Sequence, residues 1–166
     1  TSGQRNIGIG QEALTNNTNG NNNLAIGFET LKANTNGTGN IAFGYRALSS
    51  STSANGNFGA GFNSLLANTF GSHNTSIGEY SLFQNTSGSN NVAIGNTAMG
   101  NNTTGFHNQA FGVNALRNNT TGSYNIGIGR EAGYYNTTAI NNIAIGYGAL
   151  SNNSAGNNNI AIGVGA

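Results

Sequence analysis

The sequence predicts an all-β fold, a parallel β-solenoid (β-roll) of 17-residue coils. Three observations carry that reading. An Asn followed by an apolar triplet returns at Asn6, Asn23, Asn40, Asn57, Asn74, Asn91, Asn108, Asn125, Asn142 and Asn159, always 17 residues apart. A Gly stands four places after each of those Asn residues, from Gly10 to Gly163. The chain has 27 Gly and no Pro. Self-similarity at a fixed period marks a repeat architecture, and the unit is shorter than two-helix repeats, which run above about 30 residues. One period covers residues 1–166, so one domain is expected. Thr1-Ser2-Gly3 fits the end of a preceding unit and Ala166 stops partway through the tenth, so an excerpt of a longer array is expected.

Each unit is described by columns counted from its Asn. Columns two to four alternate large and small residues, as in Ile143-Ala144-Ile145, which is the pattern of a strand. Column two is apolar except at Thr75 and Gln109, and column four is Ile or Phe except at Ala60. Residues two apart in a strand share a face. Columns two and four are therefore expected to face the core, with the Leu row of column nine (Leu14 to Leu116, Met99 included) as the third large residue per coil. Columns twelve to fifteen read Asn-Thr-x-Gly, as in Asn102 to Gly105, which is turn chemistry. Stacking like columns at about 4.8 Å gives a rod of roughly 47 Å.

Columns three and five hold only Ala, Gly and Ser, or only Gly, although they point away from the large apolar pair. One reading makes them a subunit seam, formed by Ala25, Gly27, Ala42, Gly44, Ala93, Gly95, Ala110, Gly112, Ala144 and Gly146, over which another chain approaches closely. The other reading places Gly at a corner requiring positive φ and Ala in the narrow interior of the coil.

Composition excludes several functions. Charged residues are 5% and the net charge is +1, so neither nucleic acid nor an anionic membrane is an expected partner. No apolar run approaches the roughly 20 residues of a membrane span, and no membrane insertion is expected. The chain lacks Asp and Cys, and its Glu residues stand at 12, 29, 79 and 131. His73 and His107 share column seventeen two coils apart, about 9.6 Å along the axis and too far to share a metal directly. No catalytic residue, metal or cofactor is expected, and the chain is not expected to be an enzyme.

Columns six and seven vary where the rest is fixed. Phe28, Tyr45, Arg46, Phe62, Tyr80 and Tyr147 are candidates for ligand recognition, since aromatic and Arg side chains dominate interface energetics. The competing reading is a structural ladder of rings on consecutive coils. Glu29 and Arg46, on adjacent coils, are expected to pair. The unbroken Thr column from Thr18 to Thr137 reads as turn stabilisation, or alternatively as an ice-binding face. Asn102 and Asn119 lie in Asn-x-Thr sequons open to a glycosylating host, although the register alone explains them.

The phrase Asn-x-Ala-Ile-Gly-x-x-Ala, at Asn91 to Ala98 and Asn142 to Ala149, resembles the head repeats of trimeric autotransporter adhesins and similar phage tail-fibre segments. The likeness follows the strand motif through nearly the whole chain. The Leu-x-x-Asn-Thr-x-Gly half departs from that family, whose repeats are shorter. The resemblance implies a trimeric, extracellular rod on a cell or virion surface, with a cell-surface glycan or protein receptor as partner. A self-assembling filament, a homopolymer rather than a homotrimer, and an ice-binding solenoid are the alternatives.

Overall fold

The computed structural model describes residues 2–166. Ten three-residue strands follow one another: β1 (Ile7–Ile9), β2 (Leu24–Ile26), β3 (Ile41–Phe43), β4 (Phe58–Ala60), β5 (Thr75–Ile77), β6 (Val92–Ile94), β7 (Gln109–Phe111), β8 (Ile126–Ile128), β9 (Ile143–Ile145) and β10 (Ile160–Ile162). They form one parallel sheet in chain order. Each residue pairs with its copy 17 places on, as Ile7 with Leu24 and Gly8 with Ala25. The expected β-solenoid of 17-residue coils is the observed fold. Nine steps of about 4.8 Å separate the first strand from the last, about 43 Å.

Hydrogen bonds run along the rod axis, inside and outside the strands. The Val92 amide donates to the Asn108 carbonyl at 2.9 Å and the Gly95 amide to the Ile77 carbonyl at 2.8 Å. At the Asn-Thr-x-Gly turn three amides converge on one carbonyl: Thr103, Thr104 and Gly105 all donate to Thr120 O, at 2.9, 3.2 and 3.3 Å.

The strand's two faces are the reverse of expectation. Column three is inside: Ala25, Ala42, Ala93 and Ala110 are fully buried and Ala144 nearly so. Column eight, also small, is buried beside it, as are Leu31, Leu48, Leu65, Leu82, Met99 and Leu116 of column nine. Columns two and four lie on the outer face, where Ile41, Ile77 and Ile128 are each more than a third exposed. The reason is room. The Leu of one coil leans under column three of the next, so that a Cβ at Gly127 would lie 2.9 Å from Leu116 Cγ. A coil this narrow holds one large residue, and the strand must turn its small side inward to admit it.

Two Asn ladders replace the missing apolar filling. Asn91 of column one donates through Nδ2 to Asn74 Oδ1 at 3.2 Å and to Gly105 O at 2.8 Å. Its Oδ1 accepts the Asn108 amide at 3.0 Å and Asn108 Nδ2 at 3.2 Å. Asn102 of column twelve donates to Asn85 Oδ1 at 2.7 Å and to the same Gly105 carbonyl at 3.0 Å. Both columns are buried through the middle of the rod, where a polar group must be paired.

Tight coiling also demands unusual backbone. Three columns hold non-Gly residues at φ of 48° to 60°: Leu82, Tyr80 and His73 are one example of each. Such residues cost of order 1–3 kcal/mol each and persist only where surrounding structure over-determines them. Here the coils above and below do so.

Candidate interaction surfaces

The seam assigned to columns three and five is not a surface. Ala25, Ala42, Ala93, Ala110 and Ala144 line the interior of their own coil. Gly27, Gly44, Gly95, Gly112 and Gly146 sit at a corner with φ between 112° and 139°. A Cβ there would strike the next coil of the same chain: on Gly44 it would stand 2.9 Å from Gly61 O, and on Gly112 2.7 Å from Gly129 C. Their small size answers to the chain itself, which is the narrow-interior and corner reading.

What the outer face carries instead is a continuous apolar strip. Columns two and four from β1 to β10 present Ile, Leu, Val and Phe, with Ala60, Thr75 and Gln109 as departures and no charged residue. The strip is about 10 Å wide and 43 Å long at ordinary strand dimensions, a flat footprint of roughly 430 Å². That lies in the range of about 300–600 Å² for the largest apolar patch on a monomer, and such patches are often functional. The signal for it was present in the sequence. Two small columns, three and eight, had to meet across the coil, leaving the large pair no place but outside.

Columns six and seven carry the ring ladder. Phe28 stacks on Tyr45 and Tyr45 on Phe62, each with centroids 5.1 Å apart and planes within 11°. Tyr80 meets Phe62 edge-on at 5.5 Å and continues to Phe83 at 5.3 Å. Both faces of Tyr45 are covered by its neighbours, so no sugar ring can stack on it. Tyr147 differs: half exposed, it lies under the Arg130 guanidinium at 5.7 Å. Arg117 similarly covers Tyr134 at 5.8 Å and donates to its hydroxyl at 2.7 Å, with Tyr135 edge-on beside it. Tyr134 and Tyr135 stand in columns ten and eleven and did not figure among the candidates.

A small ionic cluster flanks the ladder. Arg46 Nε reaches Glu29 Oε2 at 3.1 Å, the expected pair, and Lys32 Nζ bridges Glu29 at 2.8 Å and Glu12 at 2.6 Å. The hydrogen bond from Lys32, aided by the charges of Lys32 and Arg46 against partial desolvation, holds the Glu29 carboxyl below its ordinary range. Lys32 is raised by its bonds to Glu12 and then Glu29. Among the described residues no three His, Cys, Asp or Glu come together.

The Thr column is occupied by its own turn. From Thr18 to Thr137 every hydroxyl donates to the carbonyl of the next coil, for instance Thr86 Oγ1 to Thr103 O at 3.1 Å and Thr103 Oγ1 to Thr120 O at 3.0 Å. This is the turn-stabilising role. Asn102 and Asn119 are fully buried and spend their amides in the ladder, so their sequons are closed in the folded coil. Comparison with protein-family models, curated proteins and solved structures found no match to this chain.

Proposed function

We propose that this chain is a rigid, non-catalytic segment of an extracellular fibre, of adhesin-head or phage tail-fibre type. It works as a homotrimer and holds attachment features away from a cell or virion surface. The observation that carries the reading is the uncharged apolar strip on the outer sheet face. Ile and Phe left half-buried or exposed along the rod gain from a cover, and interface centres are depleted of charge in the same way. The cover must repeat every 4.8 Å or so, along a rod of ten rungs. A second copy of this chain has that period by construction. Axial hydrogen bonding at every coil suits a stiff spacer, and the exposed rings of Tyr147, under Arg130, and Tyr135, beside the half-buried Arg117–Tyr134 pair, offer repeated weak contacts to a glycan or protein receptor. Several such contacts on one rod add through effective concentration.

Light scattering on the purified chain tests this. A mass three times the 16.9 kDa of the chain is expected. Ile94→Lys and Ile128→Lys, both on the outer face, should return the particle to a monomer with an unchanged circular dichroism spectrum. A folded monomer of the unaltered chain refutes the reading. Polymers of open length favour the filament alternative instead, and thermal hysteresis in a freezing assay favours ice binding.

A further inference from the structure

A face made of equal rungs has a difficulty: it can slide. Displacing one copy by a single coil, about 4.8 Å, sets Ile against Ile almost everywhere and changes little. Whatever fixes the alignment must be a rung unlike the others. Within columns two and four the polar residues are Thr75 on β5 and Gln109 on β7.

Gln109 is exposed, and its side-chain amide makes no hydrogen bond among the described residues. It lies in a shallow depression of about 330 Å³, between Val92 and Ile126, with Asn90, His107 and Tyr124 along one lip. The His107 ring stacks on Tyr124 at 5.2 Å, which fixes that lip. The depression interrupts the apolar strip and carries the Gln109 carboxamide in its lining.

We infer that Gln109 and Thr75 set the register between copies of this chain, holding them parallel with like coils side by side. The inference rests on the self-association proposed above. In that alignment Gln109 of one copy meets the same residue of the next. A carboxamide offers both a donor and an acceptor, so two of them pair reciprocally. Thr75 meets its own counterpart in the same way. A slip of one coil places Gln109 against Val92 or Ile126 and Thr75 against Phe58 or Val92. Both polar groups then lose water without gaining a partner, which is strongly disfavoured. A slip of two coils matches one Gln109 with one Thr75 and leaves the other two groups unmatched. The logic is that of a single buried Asn fixing register in a coiled coil. The strip gives adhesion between copies; the two polar rungs give alignment.

The chain has no Cys, so one introduced thiol reports on alignment cleanly. Ile126→Cys lies one coil from Gln109 and leaves it in place. In the parallel, matched alignment it meets its own counterpart and mild oxidation should yield covalent dimers. An offset of one coil takes the two sulfurs beyond disulfide reach, and antiparallel packing places β8 against a different strand. The second variant adds Thr75→Val and Gln109→Ile, residues that other coils already carry in column two and that therefore leave the fold intact. The mass by light scattering should stay unchanged while the disulfide yield falls several-fold. Mixing Ile126→Cys chains with Ile143→Cys chains, co-refolded in this background, should raise the mixed dimer correspondingly.

Association without any Ile126→Cys disulfide overturns the inference, as does a yield that Thr75→Val and Gln109→Ile leave unaltered. A monomeric unaltered chain overturns the self-association beneath it, and light scattering reads that separately from the cross-link.

Discussion

Column twelve contains one break, and repairing it should stabilise the protein. Ser51 stands where the neighbouring coils carry Asn. Two buried groups lose their partners there: Asn34 Oδ1 and Ser51 Oγ have none among the described residues. Ser51→Asn would supply an amide to Asn34 Oδ1 and an oxygen to Asn68 Nδ2, as Asn102 does between its neighbours. The change works best with a second one. Where column twelve is Asn, column fifteen is usually Gly, and a Cβ at Gly105 would stand 2.5 Å from Asn102 Oδ1. In the Ser51 coil column fifteen is Ala54, so the short side chain and the extra methyl compensate each other. Asn136 keeps its ladder bonds over Ala139, but at longer distances, 3.1 Å to Asn119 Oδ1 and 3.5 Å to Ala139 O, so Ala54→Gly is added to Ser51→Asn to recover the tighter geometry. Satisfying a buried orphan recovers about 1–3 kcal/mol, and the new amide adds roughly 1 kcal/mol of ordinary hydrogen bonding. Against this, Gly in place of Ala costs about 0.5–1 kcal/mol and ordering a longer side chain up to roughly 1 kcal/mol. These terms centre on a net gain of about 2 kcal/mol, which for a chain of this size raises Tm by roughly 4–8 °C. Thermal unfolding followed by circular dichroism measures it, with each single variant alongside. Ala54→Gly alone should destabilise, and Ser51→Asn alone should gain less than the pair. A double variant of native spectrum that melts no higher than the parent would refute the ladder as a source of stability.

Three further outcomes follow from the same geometry. Gly95→Ala places a Cβ against the Gly112 backbone at φ of 139°; a loss of about 3 kcal/mol or more is expected by urea titration, beyond the 0.5–1 kcal/mol that Ala gains over Gly elsewhere. Thr97 is β-branched yet sits at φ of 55°, so Thr97→Asn, the residue found at positions 63 and 114 of the same column, should raise stability by about 1 kcal/mol. The Glu29 carboxyl is depressed when folded, so its contribution is present above the ordinary Glu range and disappears as the pH falls through the folded value. Melting the parent and Glu29→Gln from pH 7 down to pH 2 should show the difference between them shrinking toward acid. A gap that widens instead would contradict the pairing with Lys32 and Arg46.

The period, the parallel stacking and the strand position were legible because each rests on spacing alone. The inward face was not. Alternation in Ile143-Ala144-Ile145 says that the two Ile share a side, but not which side is inside. Placing the large pair inward followed the ordinary preference for burying apolar area, and cross-section overruled it. With Leu of column nine already in the coil, Gly127 and Ala144 are what fits opposite. The column-one Asn marks the period in the sequence and is a core residue in the structure. Its presence in all ten coils was the available signal, since a solvated Asn before a strand has no reason to be fixed. On the ring ladder and the Thr column the sequence left two readings each. Face-to-face stacking at Tyr45 and hydroxyl donation by Thr86 show the structural role at those positions.

The arrangement inverts the usual division of labour between core and surface. Polar side chains, paired in ladders, fill much of the interior beside the Leu row, while a long apolar strip faces out. Each serves a different direction. Along the axis, stability comes from hydrogen bonds that repeat in every coil, as Asn91 binds Asn74 below and Asn108 above; these bonds are directional and specify one stacking register for the chain with itself. Across the axis, apolar contact is non-directional and tolerates sliding, so the proposed association through the strip needs separate instructions. The departures from the repeat on the strip are where such instructions can be written. A perfect repeat in columns two and four would be the stickier surface and the less specific one, which is why Gln109 and Thr75 carry more information than any of the Ile residues around them.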